Sequence, residues 1–393
     1  MKHISQPLND AEFVQNPYPF YNRARSLGPV VYWDEYQLPC VFGFAAANAI
    51  LRDRRFGREA PENKQQAIAE HTAPFYAIEA NSMLELEPPR HTRLRSLVLR
   101  GFTSRRINSM RPELEALTHD LIDAFPSTRF DLLNAFAEVI PVVVIARLLG
   151  VPEDMKDQLV RWSHDMVAMY HAGRTRAIED AAALASTEFS GFLRDYVEDR
   201  RAHPADDLIT SLIQAEEAGD KLSTDELIST CILLLNAGHE ATVHGIGNGV
   251  KAILEAGGPR DWLSADKLSG TIEETLRFDP PLHMFTRWAY ERIDVMGHIF
   301  EPGDQVGVML AAAARDPGPW EDPEVFNPTR APKPHLAFGV GLHFCVGAPL
   351  ARLEMAAALP ILFERVPSLK LVEPPRYSDT YHFHGLKSLM VEG

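Results

Sequence analysis

The chain has 393 residues, 46% of them hydrophobic, and a formal net charge of −15. That is ample apolar material for a large core, and the acidic balance argues against a general nucleic-acid or anionic-membrane binder. Three widely spaced cysteines, Cys40, Cys231 and Cys345, form no disulfide framework and no CxxC metal site, which fits a reducing cytosol.

Residues 1–20 carry no apolar run and no cleavage pattern, so neither a signal peptide nor a membrane anchor is expected, and the chain reads as cytoplasmic and soluble. The most apolar run, residues 140–151, is too short to span a bilayer and is cut by Arg147. No Ser-, Gly- or Pro-rich linker divides the chain, so residues 1–393 are expected to form a single domain.

Asn16-Pro-Tyr-Pro-Phe20 opens the folded part and leads into a short helix ending near Leu27. Residues 30–33 and 40–43 read as strands around a turn, and 45–52 as a helix. Residues 60–80 are polar, punctuated by Pro61 and Pro74, and read as a mobile loop region. Glu87-Pro-Pro-Arg-His91 starts the next helix, with prolines near its first turn. His91 and Arg95 share one face of it, a pair that alone reads as a solvated face. An amphipathic helix is expected over 114–125. The segment 140–152 is apolar all round and therefore buried. Helices over about 155–171 and 176–202 follow. Their link, His171 to Thr175, reads as a flexible lid, with Met166, Met169 and Tyr170 facing a pocket or, more plainly, packing in the core.

Ser223-Thr-Asp-Glu226 is a capping box. It predicts one long helix to about residue 254, on the order of 45 Å at 1.5 Å per residue. Gly238 in its interior is costly relative to alanine and makes sense where something approaches the backbone. Glu240 stands in an apolar stretch, where an unpaired carboxylate is expensive. His239-Glu240 with His244 superficially suggests H-E-x-x-H. The second histidine comes five residues after the first and faces away, so a zinc reading fails. Glu274 and Arg277 form an acid–base pair on one helix face. Residues 297–303 read as a hairpin and 306–310 as a strand.

Phe338-Gly-Val-Gly-Leu-His-Phe-Cys345-Val-Gly347 sets one cysteine among glycine turns, just before a helix starting near Ala348. The positive end of a helix helps a thiolate stay ionised. Glycines 339, 341 and 347 allow the backbone to approach something large and flat, and His343 adds a donor two residues from the sulfur.

This F-G-x-G-x-H-x-C-x-G stretch resembles the haem-binding loop of the cytochrome P450 family, in which the cysteine thiolate is the fifth ligand of the haem iron. The resemblance extends over essentially the whole chain: His91-x-x-x-Arg95, the acid-bearing central helix, Glu274-x-x-Arg277 and the cysteine loop occur in the family's order. It implies a mainly helical, triangular fold with a smaller sheet-rich side, a long central helix over the haem and the cysteine loop beneath. By resemblance the cofactor is haem b. Cys345 is the metal ligand, and His91, Arg95, Arg287, His343, Phe338, Gly339 and Gly347 are its other cofactor-binding residues.

The resemblance likewise assigns the oxygen-activation segment to Gly238, Glu240, Ala241 and Thr242. The family's threonine directly after the acid is here Ala241, so Thr242, a bound water or a substrate hydroxyl must take its role. Leu234, Leu282, His283, Met284, Phe285 and Phe383 are implied pocket residues, with His384 a weaker candidate; a structural role for His283 stays open. Glu274, Arg277 and Arg330 are implied to lock the fold.

The implied activity is monooxygenation: hydroxylation of a mid-sized hydrophobic substrate with O2. The chain carries no fused reductase, so electrons come from NAD(P)H through a ferredoxin and its reductase. Arg93, Arg100, Arg105, Arg106 and Arg352 are candidates for that docking face. A monomer is expected. The rival readings are a peroxide-driven haem-thiolate enzyme and a non-catalytic haem or ligand sensor.

Overall fold

The computed structural model describes residues 1–171, 173–217, 222–257, 260–381 and 383–393. The helix Thr224–Glu255 runs through its middle and is fixed at its start by the capping box between Ser223 and Glu226. Its 32 residues give a length of roughly 48 Å. Around it pack the helices Val139–Leu149, Lys156–Val167, Arg176–Ala202, Leu268–Phe278 and Ala348–Arg365. Small residues set the close crossings: a side-chain carbon at Gly249 would fall 2.6 Å from Thr275 Cγ2.

The helix Val139–Leu149 is buried at almost every position except Arg147, as its all-round apolarity requires. Arg147 reaches the surface and bonds Glu153 at 2.7 Å. Among the described residues, no helix is long and apolar enough to cross a membrane.

Beside this helical core lies a six-stranded sheet in the order Lys2–Ile4, Val31–Trp33, Leu38–Val41, Gln305–Met309, Met284–Ala289, Phe56–Gly57. Met284–Ala289 pairs antiparallel with Gln305–Met309, Arg287 opposite Val306. An aromatic sub-core of Phe13, Tyr18, Phe20, Tyr21, Trp33 and Phe42 fills the space behind it.

Three expectations change. Folding starts before Asn16, because Lys2–Ile4 forms a parallel edge strand on Val31–Trp33. The region 60–80 is not all loop: Ala73–Glu79 is a helix, and Phe75 and Ile78 anchor it in the core. The helix expected to reach residue 171 ends at Val167 and passes into a 3-10 turn, Ala168–Tyr170, in which Met169 is core. Ala172 of the expected lid lies outside the described residues.

Candidate active site at the cysteine loop

The loop is held by its own backbone. Cys345 N–H donates to the Phe338 carbonyl at 3.0 Å, and Gly339 and Gly341 take φ values of 64° and 81°. At Gly341 a side-chain carbon would also meet the Leu51 carbonyl oxygen at 2.4 Å, so sterics and backbone both demand glycine there. Gly347 has φ −79°, which any residue can adopt, and its missing side chain leaves space 3.8 Å from the Cys345 sulfur.

Cys345 keeps solvent-accessible surface although its sulfur lies deep among protein atoms. Both hold when a sulfur in the interior of a fold is open on one side. Burial pushes its thiol above the ordinary range, while the N–H groups of Gly347 and Ala348 and the charges of Arg95 and Arg352 pull it back.

Basic groups gather at this opening, and among the described residues two of the arginines, Arg287 and Arg95, are not held by an acid. Arg287 is 3% exposed, and the one hydrogen bond described for its guanidinium is to its neighbour's carbonyl, Thr286 O at 2.8 Å. Burial, with Arg58 nearby, lowers it to about 9. Arg95 donates to the Phe344 carbonyl at 2.6 Å. His91 is buried with Nδ1 unbonded, and its ring lies 4.4 Å from that of His343. Among the described residues, Arg287 and Arg95 make no ion pair. A buried guanidinium without a counter-charge is strongly unfavourable, so the site fits a ligand carrying carboxylates. His343 has an acid, Glu87 at 2.8 Å, and Arg58 and Arg352 have Glu85 and Glu273. Glu87, which also accepts from Arg58 N at 2.7 Å, was legible only as part of the quoted Glu87–His91 motif.

On the central helix, Leu233, Asn236, Ala237, Ala241 and His244 keep accessible surface. Their spacing of three and four puts them on one face. Leu234 is not part of that face; it is 5% exposed and belongs to the main core, one helix step away. Gly238 keeps some surface, and a side-chain carbon there would fall 3.3 Å from Ile145 Cγ1.

Thr242 is buried and lies against the carboxyl of Glu354 on the helix Ala348–Arg365, off the accessible face that carries Ala241. Burial raises Glu354 to about 8, with Thr242 opposing. Sequence reasoning missed Glu354, which carries no local signal beyond an acid in an apolar helix.

Glu240 meets His164 of the helix Lys156–Val167, Nε2 to Oε1 at 3.0 Å. His239 Nδ1 lies 3.9 Å from the same oxygen and His244 Nε2 3.7 Å from the other. The expectation that His244 faces away is corrected: five residues separate it from His239, but four from Glu240, so it turns toward the acid. Burial pushes Glu240 up, but the closeness and charge of His164 outweigh it, and the net displacement is downward. His164 is raised by the same contact. Burial lowers His239 to about 4.

The segment after the helix Leu268–Phe278 divides. Leu282 bridges to Phe383, whose ring is 6.2 Å from His244, and Phe285 comes within 3.5 Å of the position a Gly339 side chain would take. His283 and Met284 turn instead into the aromatic sub-core, a correction to their pocket assignment. His283 Nδ1 is 2.7 Å from Tyr21 Oη, and Met284 packs with Met309. His384 joins them, with Nδ1 3.1 Å from Asp279. Glu274 holds Arg277 through two bonds of 2.7 and 2.8 Å, and Arg330 stands 3.5 Å away. Of the docking candidates, Arg93 bonds Glu226 at 3.0 Å and Arg352 bonds Glu273 at 2.9 Å.

A glycine-bound cysteine at the start of a helix that packs on the long central helix, beside a buried arginine without an ion pair, is the arrangement of a haem-thiolate protein. A cytochrome P450 family model matches residues 267–376. The chain is 34% identical to the biotin biosynthesis cytochrome P450 of Bacillus subtilis (strain 168), covering 99% of each. It is 37% identical to the cytochrome P450 monooxygenase PikC of Streptomyces venezuelae, over 97% of this chain and 92% of that one. The solved structure of P450BioI in complex with a hexadec-9Z-enoic acid ligated acyl carrier protein matches at TM-score 0.92 and 34% identity, covering 98% and 100% of the two chains. The chain belongs to the cytochrome P450 family. It is therefore an oxidoreductase of the P450 monooxygenase class, whose cofactor is haem b with an axial cysteine thiolate.

Proposed function

We propose that this chain hydroxylates a mid-sized hydrophobic substrate, with Cys345 as the axial ligand and electrons delivered from NAD(P)H through a ferredoxin and its reductase. The balance is substrate C–H, O2, NAD(P)H and a proton to alcohol, water and NAD(P)+. The observation that carries the assignment is Cys345, held in its glycine loop with accessible surface, beside buried Arg287 and His91 that make no ion pair among the described residues.

When bound, the haem supplies the redox chemistry. The residues of this chain do the rest. His91, Arg95 and Arg287 hold its carboxylates, by charge-assisted hydrogen bonds. Phe338, Gly339 and Gly347 shape the seat around the sulfur. Ala237 and Ala241 leave a low wall on the central helix for substrate, with Leu282, Phe285 and Phe383 as apolar contacts. Glu240, joined to half-exposed His164, moves protons inward from solvent. Because Thr242 lies off the accessible face of the central helix, the last donor is a water or a hydroxyl of the substrate. Phe344 is exposed next to Cys345 in the chain, and a surface groove is lined by Arg100, Arg105, Arg106 and Arg147 together with Glu113 and Asp206. Both suit an acidic ferredoxin docking to a soluble, cytoplasmic protein.

The test is a reduced, CO-bound difference spectrum of the wild type and Cys345→Ala, followed by optical titration with hydrophobic compounds and turnover of any that bind. The thiolate-type band is expected in the wild type only. A band surviving in Cys345→Ala would end the ligand assignment. Ligand binding without product under any electron supply would favour the sensor reading.

A further inference from the structure

We propose that His164, His239 and Glu240 form a binding site for a divalent transition-metal ion of the zinc class, and that an ion held there suppresses proton movement through Glu240. The second half rests on the proton role given to Glu240 above; the first does not.

One donor atom from each of the three residues lies within 4.8 Å of the other two. The measured edges are 3.0 Å from His164 Nε2 to Glu240 Oε1 and 3.9 Å from His239 Nδ1 to the same oxygen. Tetrahedral zinc with bonds of about 2.0–2.1 Å needs donors about 3.4 Å apart. Two of the edges lie within about half an ångström of that value, and the third, between the two imidazoles, is no longer than 4.8 Å.

His239 is the independent sign. It is 2% exposed, and neither ring nitrogen has a hydrogen bond. Its Nδ1 points at Glu240. An ion pair between His164 and Glu240 accounts for those two groups but leaves this buried imidazole with nothing to bond. A metal ion accounts for all three. Adjacent helix residues diverge by about 100°, so His239 and Glu240 converge only on a point between them, where His164 arrives from the facing helix Lys156–Val167. Two imidazoles and one carboxylate suit zinc-class ions, whereas calcium and magnesium prefer all-oxygen sets. Three protein donors leave a fourth position for water. His164 is half exposed and gives the ion a way in.

The experiment is equilibrium dialysis of the haem-loaded protein against buffered zinc, with bound metal counted per chain. One zinc per chain is expected. His164→Gln and His239→Gln should each weaken it by at least about tenfold, while His203→Gln, on the solvent side, leaves it unchanged. The absorbance spectrum of each variant checks that it folds and holds haem. No saturable binding, or binding indifferent to both substitutions, overturns the site. In a second arm, zinc should slow substrate-dependent NAD(P)H consumption in the wild type and not in His239→Gln. Zinc that binds as expected yet leaves consumption unchanged overturns the claim about proton movement alone.

Discussion

Asp279 and Glu240 are both buried carboxylates met by histidines, and they are built to opposite ends. Asp279 is saturated. Tyr18 donates to it at 2.8 Å, Tyr377 donates to its other oxygen, and His384 Nδ1 lies 3.1 Å away. Arg315 stacks on Tyr18 at 3.4 Å and adds charge. The hub ties together the N-terminal helix Tyr18–Leu27, the end of Leu268–Phe278 and the last strands, and all its members are buried. Glu240 has one firm partner, half-exposed His164, and two imidazoles held off at 3.7 and 3.9 Å. The residue types are nearly the same. Full satisfaction without access fixes geometry, whereas partial satisfaction with one wet edge leaves a group free to exchange partners.

The sharpest way to break this contrast is to delete each acid. Asp279→Ala takes the acceptor from buried His384 and Tyr377 and a counter-charge from Arg315, and should cost about 3–5 kcal/mol in denaturant unfolding of the haem-loaded protein. Glu240→Ala loses a pair whose other half is half exposed, and should cost only about 1 kcal/mol. Equal losses would erase the distinction. The acid limb follows with a definite sign. Burial pushes Asp279 up, but His384 and Arg315 hold it well below the ordinary carboxylate range. Its stabilisation is thus present above the unfolded value of about 4 and lost as pH falls below it. Asp279→Asn should flatten that limb.

Glu354 supplies the reverse case. Its folded pKa is raised to about 8, so its stabilising state is the protonated one, fully present below about 4 and lost as pH rises through 8. Glu354→Gln should therefore gain stability relative to the wild type as pH climbs, by at most about 1.4 kcal/mol per unit. A flat difference between pH 5 and 8 would mean that Glu354 is not held neutral.

Activity separates the two clusters next. Glu240→Gln should lower product formation by roughly a hundredfold with the fold intact. His164→Gln should lower it only several-fold, because water can reach the half-exposed edge in its place. Rates unaffected by Glu240→Gln would remove the acid from the proton path.

Much of this was legible in the chain, for physical reasons that differ by region. The central helix announced itself through Ser223 and Glu226, a capping box that is local by nature. Glu274, Arg277 and Arg330 could be paired because they follow a spaced motif. Contacts between distant segments were not readable. Nothing near His164 says that it will meet Glu240, 76 residues on. His283 and Met284 sit between a pocket-side leucine and phenylalanine, and only the sheet's neighbours decide that they turn toward Tyr21 and Met309. Ala73–Glu79 was hidden because its two anchors, Phe75 and Ile78, are too few to show a period.

The smallest expected effect lies at Ala241, one residue past the acid and on the accessible face of the central helix. A threonine there can bond the carbonyl four residues back, at Ala237, while turning its oxygen toward the site. The helix loses a few tenths of a kcal/mol from the β-branched replacement. Ala241→Thr should raise product formed per NAD(P)H a few-fold for substrates without a hydroxyl near the reacting carbon, since it provides the donor that Thr242 cannot. For a substrate that brings its own hydroxyl the gain should vanish, because the new oxygen competes for the same space. Coupling that stays constant for both kinds of substrate would show that water alone completes the path from Glu240, and that the side chain at 241 has no part in it.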